Sequence, residues 1–341
     1  MATAASNALP PALLDFIRQS YQPDSDPVYF AGGHEWSDGT VYSYCKDKAP
    51  KLLKILKSAG IDQLSAARER LDFIDFLALN GVDTIYPFYS ANNNLVEFCD
   101  CDNGYIMFSW DKALGEHIQG LDPIDLKLFY SKWGMLVGSI HRLTQKYPRY
   151  LQSACQNSKG QALISFDSEW SYFDGMMRDD AMREAWRLQR QRMEELSPSR
   201  ASFGFIHNDP HPGNILRDKE RFVLIDFDVA NYHWFLTDIA ICIYSEYSRC
   251  NFHSSFRHRS PDLPELFLKP FLKGYQREND INPIHLDQIE LFLNYRRFLM
   301  YCVFYDQIHS SNPQYLIKFA DEICSFKPYL PSGLRLASLI S

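Results

Sequence analysis

The chain has 341 residues, a formal net charge of −7 and an apolar and aromatic content typical of a folded globular protein. This length suffices for two domains, and the negative charge argues against nonspecific nucleic-acid binding, which depends on Lys and Arg neutralising phosphates. The chain start lacks a secretory signal pattern, no apolar run reaches the ~18 residues of a membrane span, and the eight cysteines show no disulfide spacing. We therefore predict a cytoplasmic protein without a membrane or nucleic-acid partner.

The first part of the chain predicts a short helix and two strands. The helix begins at Pro10 and Pro11, and residues 28–30 and 41–44 have strand composition. Gly32 and Gly33 lie in the connection between the strands. A glycine-containing connection can bring backbone amides close to phosphates, and an ordinary hairpin with a long turn is the alternative.

A third strand carries a lysine in an apolar setting. Lys54 lies between Leu53 and Ile55, so its side chain must point to the opposite face of the strand from both. Lys51 and Lys57 are predicted to be solvated ends of the same strand. Residues 62–80 then have apolar side chains at helical spacing and end at a glycine, which predicts a long helix.

Two more strands, residues 95–98 and 105–110, predict a hairpin, and the rest of the chain is mainly helical. In the helix that begins near Asp122 and Pro123, Leu128 is expected on the buried side and His141 is expected to pack rather than to catalyse. Further helices are predicted at residues 168–196, 265–273 with a kink at Pro270, 286–305 and 315–326.

The most informative segment is the loop that carries His207, Asp209 and Asn214. These residues match the template H-x-D-x-x-x-x-N, in which the Asp orients a hydroxyl proton and the Asn holds a metal during phosphoryl transfer. Two prolines and a glycine between Asp209 and Asn214 prevent regular helix or strand, so the backbone must form a loop that can aim both side chains into one volume.

A predicted hairpin follows this loop and ends at a second pair of carboxylates. Residues 215–216 and 222–225 flank a turn-like segment, and the second strand delivers Asp226 next to Asn214. Carboxylate and amide oxygens are the ligands that Mg²⁺ selects. A transition-metal cluster of His207, Asp209 and His211 is a competing reading, which leaves Asn214 and Asp226 without a role.

With these residues the chain resembles the aminoglycoside phosphotransferase and choline kinase-like superfamily. The resemblance rests on residues 205–216, on Asp226-Phe227-Asp228, which follows the Asp-x-Asp pattern of small-molecule kinases, and on residues 237–240. It implies an α+β, bilobal protein kinase-like fold, with a small N-lobe of antiparallel sheet and one long helix and a larger, mainly helical C-lobe.

The resemblance also implies roles for the loop residues. Asp209 would be the catalytic base, Asn214 and Asp226 would bind Mg²⁺, and Asp238 would be a structural capping residue. Asp228 is either a second metal ligand or a brace for its loop. His207 is predicted to hold the loop by hydrogen bonds.

Nucleotide-binding roles follow for the first part of the chain, residues 1–110, with residues 111–341 as the catalytic and substrate-binding part. Lys54 would reach the nucleotide phosphates, and an acid of the long helix, Glu69 or alternatively Asp72, would pair with it. The glycines of the first connection would approach the phosphates. The residues Ser109, Trp110 and Asp111 would form the hinge that binds adenine, although Trp110 could equally be a core residue.

The sequence thus predicts a phosphotransferase that moves the γ-phosphate of ATP, with Mg²⁺, to a hydroxyl of a small molecule such as an aminoglycoside, an amino alcohol or a sugar. A Ser/Thr protein kinase of the same fold and an inactive nucleotide-binding module are the alternatives. The aromatic residues 232–234, expected in a loop, are either a specificity wall or core. The basic cluster Arg249 and 257–259 is either a solvated loop or an anion contact. No oligomeric state is predicted.

Overall fold

The computed structural model describes residues 8–32, 39–57, 60–118, 123–149, 155–252 and 262–340. The chain forms two compact units. The first comprises residues 1–116 and 154–163, and the second comprises residues 117–153 and 164–341. The sequence placed the boundary at Trp110. The return of residues 154–163 to the first unit has no signal in the local pattern.

The first unit is an antiparallel sheet with two helices. Helix α1 is Pro11–Tyr21 and helix α2 is Ile61–Leu79. The strands of this sheet are β1 Val28–Gly32, β2 Thr40–Lys46, β3 Ala49–Lys57, β4 Pro87–Phe88, β5 Val96–Cys99 and β6 Tyr105–Asp111; the two-residue β7, Glu116–His117, lies outside it. In the described residues the sheet order is β1-β2-β3-β6-β4, and β5 also pairs with β6.

Alternation along β3 separates the core from the face that carries Lys54. Leu53 and Ile55 join residues of α1, β2 and β6 in one hydrophobic cluster. Lys54 pairs in register with Val41 on one side and Phe108 on the other, and its side chain points to the opposite face. The predicted strand and the orientation of Lys54 therefore agree with the structure.

Lys51 is not the solvated strand end that we predicted. It is only 8% exposed, its ammonium contacts the carboxylate of Asp111, and it lies over the ring of Phe88. The reason is the length of the sheet, because β3 begins at Ala49 and β6 continues to Asp111, which places Lys51 inside the paired region. Lys57 is exposed, as predicted.

The second unit is mainly helical. Its α-helices are α3 Pro123–Thr144, α4 Phe166–Asp174, α5 Asp180–Glu194, α6 Phe235–Phe252, α7 Lys269–Gln276, α8 Pro283–Leu286, α9 Ile289–Ser311 and α10 Pro313–Cys324. Strands β9 Ile215–Asp218 and β10 Arg221–Leu224 form the predicted antiparallel hairpin, and β8 Phe203–Ile206 pairs antiparallel with β11 Asn231–Trp234. Pro212–Asn214 and Leu336–Leu339 are short 3₁₀ turns.

Two local predictions were wrong in this unit. Leu128 is 49% exposed, because the buried stripe of α3 is defined by Leu126, Phe129 and Trp133 and excludes it. Residues 232–234 lie in strand β11 rather than in a loop, and their burial agrees with the alternative that they are core residues. The helix that contains Pro270 begins with a π-helical turn, Pro264–Leu268, and continues directly into α7, because Leu268 and Lys269 have right-handed helical backbone angles; a kink at Pro270 stays a prediction.

Helices α3 and α7 cross with their backbones in direct contact, which requires glycine. A Cβ on Gly134 would lie 1.9 Å from the carbonyl oxygen of Phe271, and a Cβ on Gly274 would lie 2.0 Å from that of Ser131. Backbone atoms in packed helices cannot move aside as the end of a side chain can. The crossing therefore depends on the glycines.

We expect Gly134→Ala to lower the free energy of unfolding by more than about 3 kcal/mol, because the added methyl group must separate two helices of the core. Thermal and urea unfolding measure the change. Gly175→Ala is the matched control, since its Cβ would meet nothing closer than 3.8 Å and its backbone is already right-handed helical. Equal stability of the two variants would contradict the close crossing.

Candidate active site

His207 fixes the loop that carries Asp209. Its Nε2 donates to the carbonyl oxygen of Ile225 at 3.0 Å, and its Nδ1 accepts from the backbone N–H of Asp209 at 3.2 Å. The imidazole is fully buried, and burial lowers its pKa, which keeps it neutral and suited to one donor and one acceptor. His207 therefore holds the loop, as the sequence predicted, and ties it to the residue that precedes Asp226.

Asp238 braces the same loop from α6. Its two carboxylate oxygens accept from the backbone N–H groups of His207 at 3.2 Å and Asn208 at 2.8 Å. One of them also bonds Nε2 of His141 at 3.1 Å, and the other ring nitrogen of His141 bonds the hydroxyl of Tyr275. Asp238 and His141 are completely buried, so the predicted structural role of Asp238 and the packing role of His141 both agree with the geometry.

A second buried carboxylate, Glu169 of α4, supports the loop through Asn208. The side-chain amide of Asn208 donates to Glu169 and to the carbonyl of Val229, and Glu169 also accepts from Tyr295 at 2.6 Å and from Asn231. Burial raises the pKa of Glu169 in spite of these donors. Sequence reasoning missed Glu169, which looks like one more surface acid of a charged helix.

Asp209 itself is paired with an arginine of α9. A terminal nitrogen of Arg296 donates to one oxygen of Asp209 at 2.7 Å, and Nε2 of His211 lies 3.4 Å from the other. Burial acts to raise the pKa of Asp209, but the positive charge of Arg296 and the neighbouring His211 and His207 outweigh it and hold this pKa well below its usual range. Asp209 is therefore an ionised acceptor of hydrogen bonds at neutral pH.

If Asp209 accepts from the acceptor hydroxyl, as the sequence predicts, this ion pair controls how turnover depends on pH. With its pKa held low, Asp209 of the wild type stays ionised through mildly acid solution, so it adds no acid limb to kcat/KM. In Arg296→Met burial acts without the opposing charge, the pKa rises, and protonated Asp209 can no longer accept from a hydroxyl. We expect kcat/KM of this variant to fall by about tenfold between about pH 8 and about pH 5, measured against its own maximum.

The surface variant Arg192→Met in α5 is the control for loss of a positive charge, and its pH profile should match the wild type. Superimposable profiles for Arg296→Met and the wild type would show that the arginine does not control the ionisation of Asp209.

The structure brings Asn214 and the Asp-x-Asp segment beside this loop. The side-chain Nδ2 of Asn214 donates to the backbone carbonyl of Asp209 at 3.0 Å. The backbone carbonyl of Asn214 accepts from the backbone N–H of Ile225, the residue before Asp226, at 2.9 Å. Because the first of these hydrogen bonds uses Nδ2 of Asn214 as the donor, Oδ1 is the atom left to act as the predicted metal ligand. Asp226 is exposed and has a left-handed backbone, φ 66°, and Asp228 is half-buried.

This donor set fits a hard divalent cation such as Mg²⁺, because it offers an amide oxygen and carboxylates. It does not fit the competing transition-metal reading. Both ring nitrogens of His207 are engaged by backbone groups, and within the described ranges no three His, Cys, Asp or Glu side chains form a metal-binding group.

The residues predicted to bind nucleotide lie in the first unit. Lys54 on β3 is 7% exposed and Glu69 on α2 is 2% exposed, whereas Asp72, the alternative acid, is exposed. Glu69 accepts from the backbone N–H of Cys155 at 2.8 Å. Their pairing with each other stays a prediction.

The predicted hinge residues and glycines differ in burial and in hydrogen bonding. The buried hydroxyl of Ser109 hydrogen-bonds to the hydroxyl of Tyr44 and to the backbone carbonyl of Leu52. The side chain therefore stabilises the sheet. Trp110 is half-buried and Asp111 donates its backbone N–H to Tyr86. Gly32 ends β1 with φ 79°, a conformation that favours glycine, and Gly33 lies outside the described residues.

Comparison with known proteins decides the family. A model of the phosphotransferase enzyme family matches residues 47–280. The chain belongs to this family. Amicoumacin kinase of Bacillus subtilis (strain 168) is 28% identical over 273 residues, which cover 78% of this chain and 76% of the relative. The predicted enzyme class is confirmed: the chain is a phosphotransferase with an alcohol group as acceptor.

Solved structures confirm the predicted kinase-like fold. An amicoumacin kinase in complex with AMP-PNP, Ca²⁺ and Ami has a TM-score of 0.75 at 22% identity and covers 94% of both chains. A microcompartment-associated aminopropanol kinase has a TM-score of 0.65 at 18% identity, with coverage of 95% of this phosphotransferase and 99% of the kinase. Within the described part of the chain, no helix is long and apolar enough to cross a bilayer.

Proposed function

We propose that this phosphotransferase moves the γ-phosphate of ATP to a hydroxyl group of a small molecule, with Asp209 as the group that orients the acceptor. The proposal rests on the ionised carboxylate of Asp209, which lies in a loop that hydrogen bonds hold in place. The loop around Asp209 is held at His207, Asn208 and Asn214, and Arg296 keeps the carboxylate charged. A hydroxyl that donates to Asp209 has its oxygen lone pairs directed away from the carboxylate, ready to attack phosphorus.

In the proposed reaction the acceptor oxygen forms a bond to the γ-phosphorus as the bond to the β-phosphate oxygen breaks, which releases ADP. The hydroxyl proton passes to Asp209. The low pKa of Asp209 makes it a weak base, so its first contribution is orientation, and the proton moves late, once the acceptor oxygen is bonded to phosphorus.

Asn214 through Oδ1 and Asp226 through its carboxylate are the proposed Mg²⁺ ligands, and Asp228 is either a further ligand or a brace. Bound at these oxygens, Mg²⁺ would neutralise charge on the transferring phosphoryl group. Solved relatives that carry AMP-PNP with Ca²⁺, or ADP, support a nucleoside triphosphate and a divalent cation.

For the nucleotide we propose Lys54 as the phosphate contact, with Glu69 as its acidic partner and the glycines at the end of β1 and the hinge residues 109–111 as further contacts. Glu69 is favoured over Asp72 because it is buried, and a buried carboxylate needs a positive partner or strong donors.

Glu69→Gln should raise the KM for ATP by about tenfold while the fold stays intact, because the amide oxygen of Gln can still accept from Cys155 but the negative charge is gone. Asp72→Asn is the matched control on the same helix and should keep the wild-type KM. Steady-state kinetics with varied ATP measure both. The reverse order of effects would make Asp72 the partner.

The acceptor class we propose is an amino alcohol or a larger amine-bearing alcohol. Relatives named as amicoumacin kinase, aminopropanol kinase and spectinomycin phosphotransferase support a small-molecule acceptor, and the net charge of −7 favours a cationic one. A cytoplasmic location and the lack of a nucleic-acid or membrane partner stay predictions from composition.

The test is an acceptor screen that follows ADP release with Mg²⁺-ATP. The panel contains amicoumacin, aminopropanol, aminoglycosides and sugars, with Asp209→Ala as the blank and unrelated polypeptides as protein acceptors. Turnover on at least one amine-bearing alcohol and none in the blank is the expected result. Phosphate on polypeptides alone would instead establish the protein kinase, and ATP binding without turnover on any acceptor would establish the inactive module.

A further inference from the structure

The second unit contains a cavity that is separate from the residues of the phosphoryl-transfer site. Its volume is about 330 Å³, within the usual range of small-molecule sites, roughly 300–1,000 Å³. Its walls come from the segment between α5 and β8, the start of α6, the end of α7 and the segment around α8. Asp209, Asn214 and Asp226 do not line it.

The chemistry of the walls selects an apolar body with a positive charge. Trp234, Phe235, Leu236 and Ile239 supply an apolar floor. The lining residues include two acids, Glu195 and Asp280, and His285 but no Lys or Arg; both acids are exposed, which places negative charge at the mouth. An aromatic or branched ligand with an ammonium group would bury its apolar part and keep its charge near these carboxylates.

Two residues of the cavity wall also contact the support of the catalytic loop. The hydroxyl of Tyr275 bonds Nδ1 of His141 at 2.9 Å, and the ring of Phe235 stacks on that imidazole with centroids 4.4 Å apart. His141 in turn bonds Asp238, which holds the backbone N–H groups of His207 and Asn208. A continuous chain of buried contacts therefore joins the cavity to the loop of Asp209.

We propose that this cavity is a second ligand site, which takes a small primary amine with an aromatic or branched apolar body and which is coupled to phosphoryl transfer through Tyr275, His141 and Asp238. Binding itself is independent of the proposed function. The coupling rests on it, so the two parts have separate measurements.

Binding is tested by calorimetric titration of the full chain, without nucleotide, with phenethylamine and with its neutral analogue 2-phenylethanol. The amine should bind at least about fivefold more tightly than the alcohol, the factor that corresponds to about 1 kcal/mol for an exposed charge pair. The double variant Glu195→Gln/Asp280→Asn should remove most of this preference, and Asp100→Asn, an exposed acid of the first unit, should keep it.

Two further variants locate the bound amine. Ala201→Trp fills the cavity from an exposed position of its wall, so it should weaken phenethylamine binding at least tenfold, about 1.4 kcal/mol, without loss of a core side chain. Asp209→Asn should bind phenethylamine as the wild type does. Binding that survives in Ala201→Trp, or that is lost in Asp209→Asn, would overturn the proposal, as would a preference for the amine that survives in the double variant Glu195→Gln/Asp280→Asn.

Coupling is tested by kcat/KM for the acceptor with and without saturating phenethylamine. In the wild type kcat/KM should change at least about twofold, and in Tyr275→Phe, which keeps the ring in the wall but lacks the hydroxyl, the ratio should be one. A wild-type ratio of one would overturn the coupling even if the amine binds. A ratio in Tyr275→Phe equal to that of the wild type would exclude the contact with His141 as its route.

Discussion

Asp209→Asn should lower kcat by about 10²–10⁴-fold and leave the affinity for ATP nearly unchanged. Asn can still accept the hydrogen bond from Arg296, so the loop keeps its principal contacts. It lacks the negative charge that attracts the acceptor hydroxyl proton, and it cannot take that proton. The loss should therefore appear in kcat rather than in nucleotide binding, as expected for an interaction that matters mainly in the transition state.

The measurements are steady-state kinetics with a saturating acceptor, ATP titration and a melting curve. Asp218→Asn, an acid at the end of β9 outside the site, controls for loss of one negative charge from the same unit and should retain wild-type kcat. A wild-type kcat in Asp209→Asn would remove Asp209 from the mechanism. An equal loss in Asp218→Asn would point to a general electrostatic effect.

Local pattern was sufficient for most of the elements in this fold. The alternation around Lys54 and the turn chemistry before Asp226 depend only on neighbours in the chain, and the sheet and hairpin form where they were predicted. Errors occurred where a distant segment decided the environment. Lys51 is buried because β6 extends to Asp111, and Leu128 is exposed because Phe129, one position away, lies in the buried stripe of α3.

The residues of the candidate site divide in the same way, into those that local pattern predicts and those that depend on distant segments of the chain. Spacing alone predicted Asp209, Asn214 and Asp226 as candidate site residues, because the three lie within eighteen residues and one loop and one hairpin connect them. Arg296 contacts Asp209 across 87 residues of sequence, and no local pattern encodes that contact. One signal was present: Arg296 and Arg297 interrupt an apolar run of α9, and arginines on a buried helix need acidic or carbonyl partners.

The sequence indicated only some of the residues that hold the loop of Asp209. Asp238 was recognised from its family position, but nothing in its surroundings indicates that His141, 97 residues earlier, would bond it. Such a network is specified by the packing of α3 against the start of α6, and packing depends on shapes that a residue pattern does not contain. We therefore expect Asp238 to contribute to stability as well as to the placement of Asp209.

Asp238→Asn should accordingly lower the free energy of unfolding by about 3–5 kcal/mol and reduce kcat in the fraction that remains folded. The carboxylate now accepts from three donors in a site with no exposure. The Asn side chain has one acceptor oxygen, and its NH₂ group would face at least one buried N–H. One donor would then lose its partner, and the backbone at His207 and Asn208 would have to move, which displaces the neighbouring Asp209.

Urea unfolding measures the stability, and Asp321→Asn on the exposed surface of α10 is the control, with a change within about 0.5 kcal/mol. The two effects should appear together, because one carboxylate both satisfies buried amides and positions the loop. A destabilised variant whose folded fraction turns over at the wild-type rate would separate the roles. It would show that the loop keeps its position without Asp238, so that Glu169 and His207 suffice to hold it.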